Sequence, residues 1–230
     1  SRSEIVGVGL ITATSGLPST FSIQTFDEFG NRKDYGGDKF TAELRGDGEG
    51  GDTEVHAVSV TDNGDGSYDF EYELFLAGIY KLTIALEGSD GSKEVFYSSL
   101  ETPMDNPPPV VQISAGPLSL GETKVIVDEG STYVFDVQDF EILPMDDYGN
   151  LITSVGASDF SVMVSTGIAP AGNIFDFIRT ESNPVIVEAG GAFVSSVEVN
   201  SPGEYVVNVR YGTTLLGNPN IYKVIPAQVG

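Results

Sequence analysis

The sequence predicts an all-β chain made of two tandem β-sandwich domains. Apolar and polar residues alternate over short runs separated by glycine, asparagine and aspartate, a pattern typical of half-buried antiparallel strands. No segment keeps a helical period with capping residues at both ends. The length of 230 residues suits two domains of roughly 100 residues, the usual size of a β-sandwich.

Four runs in the first half show the alternation most clearly: residues 21–24, 55–60, 68–72 and 80–86. The 28 glycines and 12 prolines of the chain mark the turns between such runs. Because about seven short strands with regular turns make a sandwich, each half of the chain is expected to form one.

The alternation stops where a proline-rich segment begins. Four prolines lie between residues 103 and 109, and proline cannot donate to a sheet ladder and favours a stiff polyproline conformation. We therefore predict a domain linker over residues 103–110, between a first domain of residues 1–102 and a second domain of residues 111–230.

An internal repeat supports two copies of one fold. Residues 27–31 (DEFGN) recur as residues 146–150 (DDYGN), and residues 66–80 align without a gap on residues 191–205. The second copy is expected to carry an insertion before its DDYGN turn, over residues 133–146.

Several short polar segments are predicted to be tight turns. Glycine and asparagine supply positive φ, while aspartate carboxylates can accept hydrogen bonds from turn amides. The segment that starts at Asp62 superficially resembles a calcium loop, but its ligand spacing breaks and no closing glutamate follows. The residues assigned to structural turns are Gly30, Asn31, Asp62, Asn63, Gly66, Gly149 and Asn150.

The order and spacing of these pieces resemble a filamin (actin-binding-protein) repeat. The resemblance runs through nearly all of residues 5–100 and is looser in the second half. It implies two tandem immunoglobulin-like, filamin-type β-sandwiches, of which the second is divergent. The pieces that carry it are residues 9–10, 21–23, 27–31, 36–40, 62–68 and 77–80.

The resemblance also implies a protein partner that binds by strand addition. In the filamin family a partner peptide often adds along the edge formed by the third and fourth strands, here roughly residues 39–45 and 54–61, with residues 160–165 in the second domain. Main-chain hydrogen bonds then give affinity and alternate side chains give specificity. An ordinary protected edge is the alternative. The candidate partner-binding side chains are Phe40, Ala42, Leu44, Val55, Ala57, Phe160, Val162 and Val164.

Catalysis is not expected. The chain has no cysteine and only one histidine, His56, so it lacks a thiol nucleophile, a thiolate metal site and a nucleophilic relay. The glycine-rich residues 46–51 are acidic and lead into no helix, so they do not form a phosphate loop. We expect no catalytic residue, no metal site and no cofactor.

The formal net charge of −23 restricts the class of partner. Acidic surfaces repel nucleic-acid phosphates and anionic lipid heads, so neither is expected to bind. No run approaches the roughly 18 apolar residues of a membrane helix, so direct membrane insertion is not expected either. Attraction of calcium or of a basic partner to this acidity is the alternative to a merely soluble surface. For calcium, residues 105–108 also resemble cadherin-type linkers, although the other sequence elements of cadherins are missing.

The expected function is that of a non-enzymatic structural or binding module. The resemblance implies cell-surface adhesion, between cells or gametes, or a cytoskeletal rod or scaffold of an actin-crosslinking protein; a passive spacer would look the same. The acidity of the chain and the absence of a basic surface suited to actin favour adhesion and an extracellular location. The absence of an Asn-X-Ser/Thr sequon favours the cytoplasm.

Overall fold

The chain divides into two compact units, Ser1–Gly116 and Pro117–Gly230. The computed structural model describes residues 3–48, 53–88, 91–98, 110–127, 132–133, 136–166, 180–182, 185–186, 191–198, 202–216 and 220–226. Within these residues the regular elements are β-strands and two short 3-10 segments, Val8–Leu10 and Ala157–Asp159.

The strands of the first unit follow the alternating runs of the sequence. In chain order they are β1 (Ser3–Val6), β2 (Thr12–Thr14), β3 (Ser19–Thr25), β4 (Lys39–Gly46), β5 (Val55–Asp62), β6 (Ser67–Tyr72), β7 (Gly78–Glu87), β8 (Lys93–Ser98) and β9 (Val110–Ser114).

These strands form two sheets that share β5. One sheet has the order β1-β3-β6-β5, and the other runs from β5 through β4 and β7 to β9 and β2. Strand β5 pairs with β6 over residues 59–62 and with β4 over residues 55–58, so it crosses from one sheet to the other. Strand β2 runs parallel to β9, whereas the other pairs are antiparallel.

The core of the first unit lies between these sheets. Alternate residues of β3, β4, β6 and β7 are buried, as period-two alternation requires. The rings of Phe21 and Phe70 stack at 4.6 Å between centroids, and Phe40 meets Tyr68 edge-on at 4.8 Å. Full burial of such side chains contributes roughly 1.5–3 kcal/mol each.

Strand β9 corrects the predicted domain boundary. Residues 110–113 pair with β7 and residues 112–114 pair with β2, so β9 belongs to the first unit. Both β8 and β9 pair with β7, at different points along its length. The two units therefore divide after Gly116, whereas the sequence placed the start of the second domain at residue 111. Residues 103–109 themselves lie outside the described part of the chain.

The second unit repeats the arrangement. They are β10 (Lys124–Val127), β11 (Thr132–Tyr133), β12 (Val137–Leu143), β13 (Phe160–Thr166), β14 (Thr180–Ser182), β15 (Val185–Ile186), β16 (Phe193–Glu198), β17 (Gly203–Tyr211), β18 (Thr214–Leu215) and β19 (Asn220–Ile225).

Two sheets again enclose a core. Their orders are β10-β12-β16-β15 and β11-β19-β17-β13-β14, and β18 pairs with β17. Strand β11 runs parallel to β19, as β2 does to β9 in the first unit. The predicted all-β fold of tandem sandwiches is confirmed.

The position of the expected insertion is wrong. Phe140 and Ile142 of β12 are buried and precede the second turn by the same number of residues as Phe21 and Ile23 precede the first. The extra residues of the second unit instead lie between β13 and β16. Alternation alone had matched Tyr133 to Phe21, whereas packing identifies Phe140 as the equivalent core residue.

Candidate interaction surface

Most of the predicted partner-binding side chains lie in the two cores. The buried ones are Phe40, Ala42, Leu44, Phe160, Val162 and Val164. A residue that faces the core cannot give side-chain specificity to a surface-bound strand.

Two of the three strands expected to accept a partner strand, β4 and β13, are paired on both sides. Residues 42–45 of β4 pair with β5 on one side and with β7 on the other. Residues 162–164 of β13 pair with β14 and with β17. The backbones of β4 and β13 therefore have no open edge at these positions, whereas residues 55–58 of β5 pair with β4 alone, so strand addition along that part of β5 stays a prediction. Alternation identifies a strand but does not show which strands neighbour it.

The other two predicted residues, Val55 and Ala57, are exposed and lie on one open surface. We call this surface, formed by the sides of β4, β5, β7 and β8 that point away from the core, the outer face. It contains a shallow groove of about 430 Å³. The side chains that line the groove are Thr41, Glu43, Val55, Ala57, Thr83, Ala85, Lys93 and Val95.

Strand register explains why the outer face is concave. Ala85 lies opposite both Thr41 and Val95 in the ladder, so small side chains occupy the centre. Val55 is 52% exposed and Val95 is 47% exposed, and they stand at opposite edges of the groove. An apolar contact area with a polar surround is typical of protein interaction sites.

The outer face also carries several cationic side chains. Lys39, Arg45, Lys81 and Lys93 belong to it, because they alternate with the core residues of β4 and β7 or line the groove. They are four of the seven lysines and arginines of the first unit. Within the described part of the chain, the ion pairs are Arg32–Asp65 and Lys33–Asp38, neither of which involves this face.

The two DxxGN segments form one type of turn. In each unit the aspartate carboxylate accepts hydrogen bonds from the backbone N–H two and four residues later, at 2.8 to 2.9 Å. The asparagine side chain donates to the same carboxylate, and Gly30 and Gly149 have φ of +85° and +82°. The Asn31 side chain is the largest cause that holds the pKa of Asp27 below its usual value.

The segment from Asp62 to Gly66 reverses the chain between β5 and β6. The Asp62 carboxylate accepts hydrogen bonds from the backbone N–H of Gly64 and of Gly37, both at 2.8 Å. Asn63 donates its side-chain amide to Ser67 and to Asp69. Hydrogen bonds within the protein thus engage this polar segment, which acts as a structural turn.

Metal ligands are not grouped in the residues that the structure describes: no three histidine, aspartate or glutamate side chains are placed to share an ion. Residues 105–108, which suggested the calcium alternative, lie outside those residues. In the described segments no helix is long and apolar enough to span a membrane.

The single histidine packs at one end of the first sandwich. His56 is half-buried on β5, and its ring meets that of Tyr80 at 6.0 Å. The Tyr80 hydroxyl donates a hydrogen bond to the backbone carbonyl of Leu76 at 3.0 Å. Tyrosines near the corners of β-sandwiches commonly have this structural role.

Several known structures of similar fold are bacterial proteins, among them an adhesin and an integrin-binding protein. The Escherichia coli adhesin FdeC matches 97% of this chain at 21% identity with a TM-score of 0.53, and 64% of its own chain is covered. The bacterial integrin-binding protein invasin matches 97% at 16% identity with a TM-score of 0.56, and 40% of it is covered. Yersinia pseudotuberculosis InvD matches 98% at 15% identity with a TM-score of 0.52, and 58% of it is covered. This chain therefore spans less than two thirds of each, and the likeness shows the fold.

A family model matches most of the first unit. Residues 1–96 match the Filamin/ABP280 repeat. This range contains β1 to β7 and the start of β8, together with the DEFGN turn and the outer face. Residues 1–96, which build most of the first sandwich, are therefore similar to the Filamin/ABP280 repeat, and a second β-sandwich of similar design follows them.

Proposed function

We propose that this chain is a non-enzymatic, protein-binding part of a cell-surface adhesion protein. The observation that carries the proposal is the likeness of both units together, over 97% of the chain, to an E. coli adhesin and to a bacterial integrin-binding protein. A filamin repeat by itself would fit a cytoskeletal rod equally well, but the matches to those two proteins extend over both units of this chain.

The chemistry of the described residues supports a binding role. No cysteine is present, and the only histidine packs against Tyr80. The outer face instead offers an open groove with exposed valines and cations, which suits contact with another protein.

The second candidate is an intracellular scaffold or rod. The match of residues 1–96 to the Filamin/ABP280 repeat favours it. A passive spacer is the third candidate, and it would use neither the groove nor the cations of the outer face.

The cellular location of the parent protein distinguishes the adhesion protein from the intracellular scaffold. Intact cells that express the parent protein are treated with an amine-reactive, membrane-impermeant biotin reagent, which can reach exposed lysines such as Lys39 and Lys93. Labelling of intact cells is expected, followed by adhesion of cells to surfaces coated with the purified chain. Labelling only after permeabilisation would overturn the adhesion proposal and favour the scaffold.

A further inference from the structure

Like charges face each other on the outer face of the first unit. Arg45 of β4 lies directly opposite Lys81 of β7 in the antiparallel ladder. Cross-strand neighbours with the same charge destabilise a sheet. In the described part of the chain neither side chain forms an ion pair, although Glu43 lies one row away on the same face. The isolated domain therefore keeps an unfavourable pair that an anion would relieve.

Apolar side chains flank this cationic pair. Val55 is the neighbour of Arg45 on β5, and Val110 is the neighbour of Lys81 on β9. Both valines are exposed, at 52% and 38%. Across four strands the row therefore has an apolar side chain at each end and two cations in the middle. This arrangement would fit a partner segment in which an acidic side chain lies between apolar ones.

The carboxylates of the outer face favour a protein over a polyanion as the binding partner. Glu43 stands near the centre, and Glu87 lies between Lys39 and Lys93 in the register. These carboxylates would repel a uniformly charged chain such as a sulfated glycan. They would tolerate a protein segment whose acidic groups are few and placed over Arg45 and Lys81.

We infer that the outer face binds an acidic segment of a partner protein, with a partner carboxylate over Arg45 and Lys81 and apolar partner side chains over Val55 and the groove. This rests on the proposed function in so far as the chain binds a protein, but not on its compartment. These cations form a locally positive area on a molecule whose formal net charge is −23. The local charge, rather than the total charge, therefore selects the partner.

The test is an NMR titration of the isotope-labelled whole chain. The probes are acetyl-Thr-Glu-Val-Glu-Thr-amide and its counterpart with glutamine in place of glutamate. Salt is held at about 0.15 M, where the Debye length of about 8 Å limits repulsion from distant carboxylates. We expect the acidic peptide to shift amides of β4, β5 and β7 and to bind at least about threefold more tightly than the neutral one.

Lys81→Glu gives the decisive variant, because it replaces a like-charged pair with an opposite one. It is expected to weaken the acidic peptide about fivefold or more, and to raise the Tm of the first unit by about 1–5 °C. Arg32→Glu is the matched control, since it makes the same change in net charge at an exposed cation outside the face. It should leave the affinity for the acidic peptide unchanged, and it should not raise the Tm, because it replaces the Arg32–Asp65 ion pair with two like charges.

Three results would overturn the inference: equal affinity for the two peptides, shifts confined to other surfaces, or equal effects of Lys81→Glu and Arg32→Glu. Tighter binding of a heparin oligosaccharide at the same amides would replace the partner class with a sulfated glycan. The titration uses purified protein, so its failure would leave cell-surface labelling standing. Failure of the labelling would likewise leave a positive titration intact.

Discussion

At the scale of single residues, the two DxxGN turns show one motif in two environments. Asp27 and Asp146 accept the same set of hydrogen bonds. Asp146 is 1% exposed and Asn150 is also buried, whereas Asp27 is half-buried and Asn31 is exposed. Buried donors that lose an acceptor cannot turn to water, so the same turn has more influence on stability in the second unit.

We expect Asp146→Ala to destabilise the second unit by about 1–3 kcal/mol, because it leaves buried N–H groups unsatisfied. Asp27→Ala should destabilise the first unit less, because water reaches its turn. Urea unfolding followed by NMR signals of each unit measures both. A larger loss for Asp27→Ala would show that burial does not set the importance of this turn.

At the scale of elements, the turn between β5 and β6 depends on close packing as well as on backbone conformation. Gly64 and Gly66 both have positive φ, at +77° and +82°. A Cβ on Gly64 would meet nothing within 4 Å, whereas a Cβ on Gly66 would collide with the backbone carbonyl of Lys33. Gly66 therefore fixes the approach of this turn to the segment before β4.

Gly64→Ala is expected to destabilise the first unit by about 1–2 kcal/mol through backbone strain alone. Gly66→Ala should destabilise it by about 2–5 kcal/mol, because a steric clash adds to the same strain. Thermal unfolding monitored by circular dichroism compares the two variants. Equal losses of stability in the two variants would mean that a small shift of the backbone removes the clash with Lys33, so that the clash costs no free energy.

At the scale of the whole molecule, the first unit needs a strand that lies beyond the proline-rich segment. Strand β9 supplies Val111 and Ile113, which are fully buried in the first core. Its pairing with β7 and β2 also joins β2 to the sheet. Burial of two such side chains contributes about 3–6 kcal/mol, a large part of the roughly 5–15 kcal/mol that stabilises a typical domain.

A fragment of residues 1–116 is expected to fold by itself, and a fragment of residues 1–102 is expected to be largely unfolded at 25 °C. The difference is β9 with its two core side chains. Dispersion of amide resonances in NMR spectra reports folding of each fragment. A well-folded 1–102 fragment would show that β9 is dispensable for the first sandwich.

The sequence by itself determined the all-β class, the two copies and the turn segments. Alternation fixes which side chains of a strand share a face, and the combination of aspartate, glycine and asparagine fixes local reversals such as residues 27–31. Both properties depend on neighbours in the chain. They can therefore be read without knowing what packs against them.

Only the tertiary structure decided strand order, burial and the domain boundary. Ala42 of β4 and Val55 of β5 both lie in runs of alternating apolar and polar residues. Ala42 is nevertheless buried in the core, whereas Val55 faces outward, and β4 is paired on both sides. The cationic pair of Arg45 and Lys81 arises from pairing between strands far apart in sequence. Such pairing depends on which surfaces bury each other best, a property of the assembled sandwich that no local pattern contains.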